Sequence, residues 1–253
     1  MQEITSISNN LIKETAKLQQ KKFRKQTGKF LLEGQKPIFE AIDADIEIEQ
    51  VFLTVKNLEK FTQKTNLQDK IILVNDAIIE KISTTETAPE AVAVAKQINY
   101  KLENFKNSKK LALIENIKDS GNLGTIIRSA AAFGIEGIIL CGDTTDIFNP
   151  KVVRSAVGAL FKMPIIKANL AEIKNQFPNH NFIATVVNHS DIIPPNKIDF
   201  SKPFVLMLGS EANGLTNDAI NNATTKTTIP MTNLTESLNL SIAASILFYI
   251  STQ

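Results

Sequence analysis

Three stretches of the chain carry polar side chains at the points where strands are predicted to end or helices to begin. They are residues 116–122, 209–215 and 231–239. Together they supply amides, hydroxyls and a carboxylate. The last stretch leads into a helix, and the free backbone N–H groups at a helix start favour an anion. The stretches therefore predict a binding site for a polar ligand.

Arg128 lies on a helix predicted between two of the apolar strands, in the segment 111–140. Apolar residues from Leu123 to Ala131 recur there at helical spacing and gather on one side of the helix. Arg128 falls roughly opposite their centre, so it is available for a role other than packing. A solvated surface arginine is the alternative, and for this segment taken alone it is the favoured one.

The second half of the chain alternates short apolar strands with helices. This alternation predicts an α/β fold with a mainly parallel sheet covered on both faces. In such sheets ligands bind beyond the carboxyl ends of the strands, where the strand order reverses. No GxGxxG follows a strand and no GxxxxGK[ST] occurs, which disfavours nicotinamide and P-loop nucleotide enzymes.

Composition excludes several classes of protein. The 253 residues are 43% hydrophobic and 21% charged, as expected of a globular protein that buries a substantial core. Cys141, His180 and His189 are too few for a zinc cluster, so we expect no metal site. The N-terminus lacks a signal-peptide pattern, and Ser241 and Ser245 interrupt the longest apolar stretch. We therefore expect a cytoplasmic protein that does not cross a membrane.

The first half predicts a smaller α/β domain over 1–98, a polar linker over 99–110, and the second domain over 111–253. Within the first domain we expect a polar helix over 4–25, a short strand between Gly28 and Gly34, and an edge-type strand after Pro89. Residues 1–30 are basic, which suits a polyanion or a solvated helix face. The basic residues there are Lys13, Lys17, Lys21, Lys22, Arg24, Lys25 and Lys29.

Taken in order, the polar motifs resemble the SpoU (TrmH) family of RNA ribose 2'-O-methyltransferases. The motifs are Asn122-x5-Arg128, Gly209-x-Glu211, and Ile229-Pro230-Met231 followed by Ser237-Leu238-Asn239. In the first half, GKFLLEG and TAPEAVAVAK look like the substrate-binding domain that many members carry. Ser120 stands where a proline is common in the family, a departure that affects loop stiffness more than chemistry.

The resemblance implies a SPOUT fold, in which the parallel sheet is tied in a trefoil knot, preceded by an L30e-like domain. It also implies a homodimer and S-adenosylmethionine bound by backbone groups, here those of Gly209, Ile229 and Leu238. Glycine would let the end of the strand approach a ligand closely. The alternatives are an ordinary strand-ending turn at Gly209 and plain core packing at Ile229 and Leu238.

The catalytic residues implied by the resemblance are Arg128, Asn122, Glu211, Ser237 and Asn239. The reaction is an in-line attack of a ribose hydroxyl on a sulfonium methyl, for which the protein supplies orientation and help for a weakly acidic hydroxyl. Arg128 is assigned to that hydroxyl, and its protonation role stays open. The alternatives are helix capping by Asn122, Ser237 or Asn239, and a solvated carboxylate at Glu211.

The resemblance thus predicts an S-adenosylmethionine-dependent 2'-O-methyltransferase acting on structured RNA. Ribosomal RNA of the 23S type is favoured over tRNA, because the minimal tRNA enzymes of the family usually lack the first domain. The alternative from another class is a non-catalytic RNA-binding or ribosome-assembly protein on the same scaffold.

Overall fold

The computed structural model describes residues 2–187, 189–232, 234 and 236–253. The chain forms two compact units. The first takes in the chain up to Ile98 together with Asp146–Phe161, and the second takes in Asn99–Thr145 with Lys162–Gln253. The first unit therefore includes a segment that lies within the range 111–253 of the sequence.

Short strands and helices alternate along the chain. The strands are β1 (Gln2–Ile4), β2 (Lys29–Glu33), β3 (Ile48–Leu53), β4 (Ile71–Val74), β5 (Ala91–Lys96), β6 (Lys110–Glu115), β7 (Gly137–Cys141), β8 (Ile165–Lys167), β9 (Asn181–Thr185), β10 (Phe204–Leu208) and β11 (Thr225–Thr227). The helices are α1 (Asn10–Lys17), α2 (Lys21–Thr27), α3 (Gln35–Ile42), α4 (Val55–Thr62), α5 (Asp76–Ile82), α6 (Ser120–Ala132), α7 (Pro150–Ala156), α8 (Leu170–Gln176), α9 (Asn217–Asn221) and α10 (Leu240–Ile250).

The first unit is built on a mixed sheet with the strand order β1-β4-β3-β5-β2. Strand β5 runs antiparallel to both of its neighbours, β2 and β3, whereas β4 runs parallel to β1 and β3. The prediction of an edge-type strand after Pro89 is therefore wrong. Pro89 precedes β5, so its missing N–H removes no hydrogen bond from the ladder, and the five apolar residues of β5 are buried between two strands.

The predicted single helix over 4–25 is also wrong, because the helix is interrupted between α1 and α2. Arg24 binds the backbone of this interruption: its Nη1 donates to the carbonyl oxygens of Leu18 at 2.9 Å and Gln19 at 2.8 Å. Its Nη2 lies 2.7 Å from the Asp146 carboxylate, and the residue is only 1% exposed. One of the seven predicted basic residues is thus a buried structural group.

Helix α7 belongs to the first unit. Asn149 caps it and Pro150 is its first residue, as expected. It stops at Val157, whose φ of 46° lies in the left-handed region. Its residue Arg154 is ion-paired with the buried Glu33 carboxylate.

The second unit is built on a wholly parallel sheet with the order β11-β9-β10-β6-β7-β8. Its interior strands are almost entirely apolar and buried, as expected for strands covered on both faces. The predicted α/β fold with a parallel sheet is confirmed. On one side of β6 lie β7 and then β8. On its other side lie β10, then β9, then β11. The strand order therefore reverses between β6 and β10.

Candidate active site

The candidate site lies at the carboxyl ends of β6 and β10, the two adjacent central strands of the second unit. The loop after β6 leads into α6, and the loop after β10 carries Glu211. Since both strands are parallel, their carboxyl ends lie at the same edge of the sheet. This is where ligands of open α/β sheets bind.

Asp119, rather than Asn122, caps helix α6. Its Oδ1 accepts a hydrogen bond from the backbone N–H of Asn122 at 2.7 Å. Asn122 is the third residue of the helix, so the capping alternative for this residue is wrong and its side chain is available for other contacts. Ser120 is the first helical residue, a position that favours proline, which explains why a proline fits the family motif there.

The side chains of Asn122, Glu211 and Asn239 form one hydrogen-bonded network, although they are far apart in sequence. Asn122 Nδ2 donates to Glu211 Oε1 at 2.9 Å, and Asn239 Nδ2 donates to Asn122 Oδ1 at 3.0 Å. Asn239 is also the N-cap of α10, where its Oδ1 accepts from the backbone N–H of Ser241 at 2.9 Å. The structure thus unites three of the five predicted catalytic residues.

The groups at the two ends of this network, the start of α10 and the Glu211 carboxylate, determine which atoms donate and which accept. At one end, backbone N–H groups of α10 require an oxygen from Asn239, which turns the Asn239 amide nitrogen toward Asn122. At the other end, the ionised Glu211 carboxylate can only accept. Asn122 must therefore face Asn239 with its oxygen and Glu211 with its nitrogen. The start of α10 in this way orients the Glu211 carboxylate.

Arg128 lies outside this network. It is exposed on α6, and the described part of the chain offers its guanidinium no hydrogen bond or ion pair. Arg128 is six positions after Asn122 on the helix, an offset of about 9 Å along the axis and about 120° around it. Ser237 lies in the exposed segment before α10, two residues before the cap.

The glycine at position 209 is required by the chain itself. A Cβ there would lie 1.9 Å from the carbonyl carbon of Gly214 and 2.0 Å from the nitrogen of Leu215. A turn of the chain therefore accounts for this glycine, because the loop 209–215 folds back tightly onto its own start. Close approach to a ligand stays a prediction. Ser210 and Gly214 close this turn with two reciprocal backbone hydrogen bonds of 3.0 Å.

The predicted cofactor residues fit a ligand held by main-chain atoms. Ile229 and Leu238 are half-buried and do not belong to the fully buried core. Within the described residues, no backbone hydrogen bond outside helices and strands involves Gly209, Ile229 or Leu238. Gly209 is nevertheless buried, and buried backbone groups are normally paired. Backbone groups without such bonds among the described residues, beside half-buried apolar side chains, suit a small molecule with polar and apolar parts.

A buried carboxylate, Glu115, ends strand β6 next to the site. Both of its oxygens accept hydrogen bonds from Thr216, at 2.7 Å from the backbone N–H and 2.9 Å from the hydroxyl. Its register partner on β7 is Cys141. Burial and, second, the Glu115 charge raise the pKa of the Cys141 thiol. In the described ranges, no three His, Cys, Asp or Glu side chains are grouped to hold a metal ion.

Residues 109–249, more than half of the chain, match the SpoU rRNA methylase family. The chain belongs to the SpoU rRNA methylase family. Residues 9–93 match the MRM3-like substrate-binding domain, which agrees with the resemblance seen in the first half. The family prediction is confirmed.

Relatives of this SpoU chain match it over nearly its whole length. The 23S rRNA (guanosine(2553)-2'-O)-methyltransferase RlmP of Bacillus subtilis is 29% identical over 249 residues, 98% of each chain. An rRNA methyltransferase of Sinorhizobium meliloti, crystallised with S-adenosylmethionine, is 31% identical with a TM-score of 0.88, covering 99% of this chain and 97% of that one. The SpoU methyltransferase AviRb of Streptomyces viridochromogenes, also crystallised with this cofactor, is 25% identical with a TM-score of 0.86, covering 96% and 97%. The predicted enzyme class and cofactor are confirmed.

Sequence reasoning missed three residues that shape this SpoU site: Asp119, Glu115 and Thr216. Asp119 competed with Ser120 and Asn122 for the cap, since all three residue types cap helices. Glu115 carried a usable signal, because a carboxylate at the end of an otherwise apolar buried strand needs a partner. Its partner Thr216 is 101 residues away, so local pattern gave no means of finding it.

Proposed function

We propose that this protein methylates a ribose 2'-hydroxyl of large-subunit ribosomal RNA. The observation that carries the proposal is the network of Asn122, Glu211 and Asn239 at the point where the strand order reverses. Its three members come from the three motifs of the family.

S-adenosylmethionine supplies a methyl group on a good leaving group, so the chain's task is to bind, orient and assist the hydroxyl. We assign the backbone groups of Gly209, Ile229 and Leu238 to the cofactor. The start of α10, with Ser237 and Asn239 next to it, is assigned to an RNA phosphate, because the positive end of a helix dipole favours an anion.

Arg128 is assigned to the ribose being methylated and its phosphate. Among the described residues it has no partner in the protein, and RNA brings the phosphate and the hydroxyl that a guanidinium binds. A guanidinium that holds the phosphate and polarises the hydroxyl meets the chemical demand without giving up its proton.

The choice of ribosomal RNA is supported by the first unit. Residues 9–93 match a substrate-binding domain, and relatives from Bacillus subtilis and Streptomyces viridochromogenes are named as 23S rRNA 2'-O-methyltransferases. Lysines of the segment 1–30 provide positive charge on this unit, since Lys21, Lys22 and Lys25 are exposed. We assign the first unit to RNA binding through phosphate contacts and shape.

A homodimer is the proposed assembly. Helix α10 buries one face, yet Ile242 is 52% exposed and Tyr249 is 51% exposed, seven residues apart on another face. Two such copies would cover each other's apolar face. Sedimentation should show a dimer that Ile242→Arg dissociates, while the control Val55→Arg, at an exposed apolar site of the first unit, stays dimeric. A monomeric parent protein would contradict this assignment.

The described residues contain no helix that is both long and apolar enough to cross a membrane. We propose the cytoplasm, where ribosomal RNA is assembled, as the place of action.

The test of the proposed function is methyl transfer to ribosomal RNA from cells that lack this protein. Mapping by resistance to alkaline cleavage should find one ribose 2'-O-methyl mark in the large-subunit RNA. A base-linked methyl group would contradict the proposal. So would RNA binding without methylation of any RNA, the result expected of a non-catalytic ribosome-assembly protein. A mark on tRNA alone would overturn the choice of substrate.

A further inference from the structure

Glu115 is a buried charge with an unusually narrow set of contacts. It is 7% exposed, and the described part of the chain gives it no cationic partner. Both of its oxygens are used by one residue, Thr216. A buried carboxylate is costly unless its hydrogen bonds are made, and an apolar side chain would complete strand β6 without that cost. We therefore look for the role of Glu115 in the group that it binds, Thr216.

What Glu115 holds is the far end of the loop 209–215. Thr216 directly follows this loop and is the N-cap of α9, where its Oγ1 accepts from the backbone N–H of Ala219 at 3.2 Å. The hydroxyl proton is left to donate to Glu115. One side chain therefore joins the end of the loop, the start of a helix and the carboxyl end of β6.

The loop 209–215 is tightly packed from its first residue to its last. Gly209 is packed against the backbone of Gly214 and Leu215, and the turn from Ser210 to Gly214 is closed by backbone hydrogen bonds. A shift at Thr216 must therefore be passed to Gly209, which is assigned to the cofactor, and to the Glu211 carboxylate at the tip of the turn.

We propose that Glu115 is a positioning residue, which sets the cofactor-binding loop 209–215 by holding Thr216 with both carboxylate oxygens. This inference rests on the proposed function, because it assumes that Gly209 and Glu211 serve the cofactor and the RNA. Glu115 itself touches neither substrate in this account.

The test is the variant Glu115→Gln, which keeps the shape and one acceptor oxygen. Its amide nitrogen cannot accept the Thr216 hydroxyl proton and can only donate to Oγ1. The hydroxyl must then turn its proton away, and a bond to a charged group is replaced by a weaker neutral one. We expect the KM for S-adenosylmethionine to rise about tenfold, while kcat at saturating cofactor stays within about threefold of the parent. Calorimetric titration with S-adenosylhomocysteine should show the same loss of affinity.

Thr216 supplies a second pair of variants. Thr216→Val removes the hydroxyl and should weaken cofactor binding to a similar extent, whereas Thr216→Ser keeps the hydroxyl and should restore it. If Glu115→Gln does not fold, this pair decides the matter alone: equal cofactor affinity in the valine and serine variants would overturn the proposal.

Glu172→Gln is the matched control. Glu172 also uses a carboxylate oxygen to hold a backbone N–H, that of Asn169 at 2.9 Å, but at the start of α8 beyond the edge strand β8. The control should leave cofactor affinity unchanged. Amide hydrogen exchange should accelerate in 209–216 for Glu115→Gln and not for Glu172→Gln.

The outcomes separate this inference from the proposed function. A parent protein that neither binds cofactor nor methylates RNA would contradict the proposed function, while the exchange experiment would still judge the role of Glu115 in holding the loop. Parent activity with unchanged cofactor affinity and unchanged loop exchange in Glu115→Gln would overturn the positioning role alone. A fall in kcat with unchanged affinity would also overturn the assigned effect on the cofactor, because the shift would then reach Glu211 and not Gly209.

Discussion

The chain has only three arginines, and the two units use them differently. In the first unit Arg24 and Arg154 are ion-paired with Asp146 and Glu33, carboxylates more than a hundred residues away in sequence. In the second unit Arg128 is exposed and, among the described residues, has no such partner. Two guanidiniums are thus committed to structure and the third is available to a ligand.

The carboxylates show the same contrast in reverse. Glu33 of the first unit is buried and paired with a guanidinium, whereas Glu115 and Glu211 of the second unit are held by neutral groups. A site that binds a positively charged cofactor and an anionic RNA needs carboxylates and a guanidinium that are not already ion-paired within the protein. The comparison predicts that losses in the first unit appear as stability and losses in the second as activity.

The largest stability effect is expected from Arg24→Met, which leaves the mostly buried Asp146 carboxylate without its cationic partner. Breaking such a pair costs about 3–5 kcal/mol. Urea unfolding followed by circular dichroism should show this loss. Arg24→Met combined with Asp146→Leu should recover at least half of it, because no charge is then left buried. If the free energy of unfolding of Arg24→Met lies within about 1 kcal/mol of the parent value, Arg24 is not a structural residue and the comparison fails.

The pair of Arg154 and Glu33 should contribute less, because the Arg154 side chain is 33% exposed. Arg154→Met leaves Glu33 with two hydrogen bonds from Thr84, at 2.7 Å from the N–H and 2.9 Å from the hydroxyl. Hydrogen bonds to charged groups contribute about 1.5–3 kcal/mol, so the same unfolding assay should show a loss in this range. Methylation of a minimal RNA at saturating concentration should be unaffected at low temperature; a hundredfold slower turnover there would place Arg154 in the site.

Asn239→Asp separates capping from the orienting network. Aspartate caps helices as well as asparagine does, so the free energy of unfolding should change by less than about 0.5 kcal/mol. Its second oxygen cannot donate to Asn122, so Asn122 either loses a bond or turns its oxygen toward Glu211. We expect methyl transfer to slow about tenfold, which corresponds to about 1.4 kcal/mol. Full activity with full stability would mean that the network has no role in turnover.

The smallest effect concerns Cys141, whose pKa is raised by burial and then by the Glu115 charge. A raised pKa means that the thiol is protonated near neutral pH, so alkylation by iodoacetamide should be slow in the native protein and accelerate as pH rises. Glu115→Gln removes the negative charge and should shift the alkylation profile to lower pH. A shift to higher pH would show that the Glu115 charge does not act on Cys141.

The order of strands and helices in the second unit could be predicted from the sequence. Most strands are runs of apolar residues, and in the helices apolar residues recur at helical spacing. The motifs of the family resemblance also named Asn122, Glu211 and Asn239, which the structure joins in one hydrogen-bonded network. The sequence could not predict that Asp146–Phe161 packs with the first unit. The ion pairs that fix this segment join residues 24 with 146 and 33 with 154, and such distant pairs leave no local pattern. The trefoil knot stays a prediction from the family resemblance.

The most direct test of the account is to measure Arg128→Ala twice on the same sample, by cofactor titration and by single-turnover methyl transfer to ribosomal RNA. Loss of an interaction made at the reacting hydroxyl should slow the transfer about a thousandfold or more. The affinity for S-adenosylhomocysteine and the unfolding midpoint should match those of the parent protein. Retained methyl transfer would remove Arg128 from the mechanism, and a loss of stability would show that this arginine, like Arg24, is a structural residue.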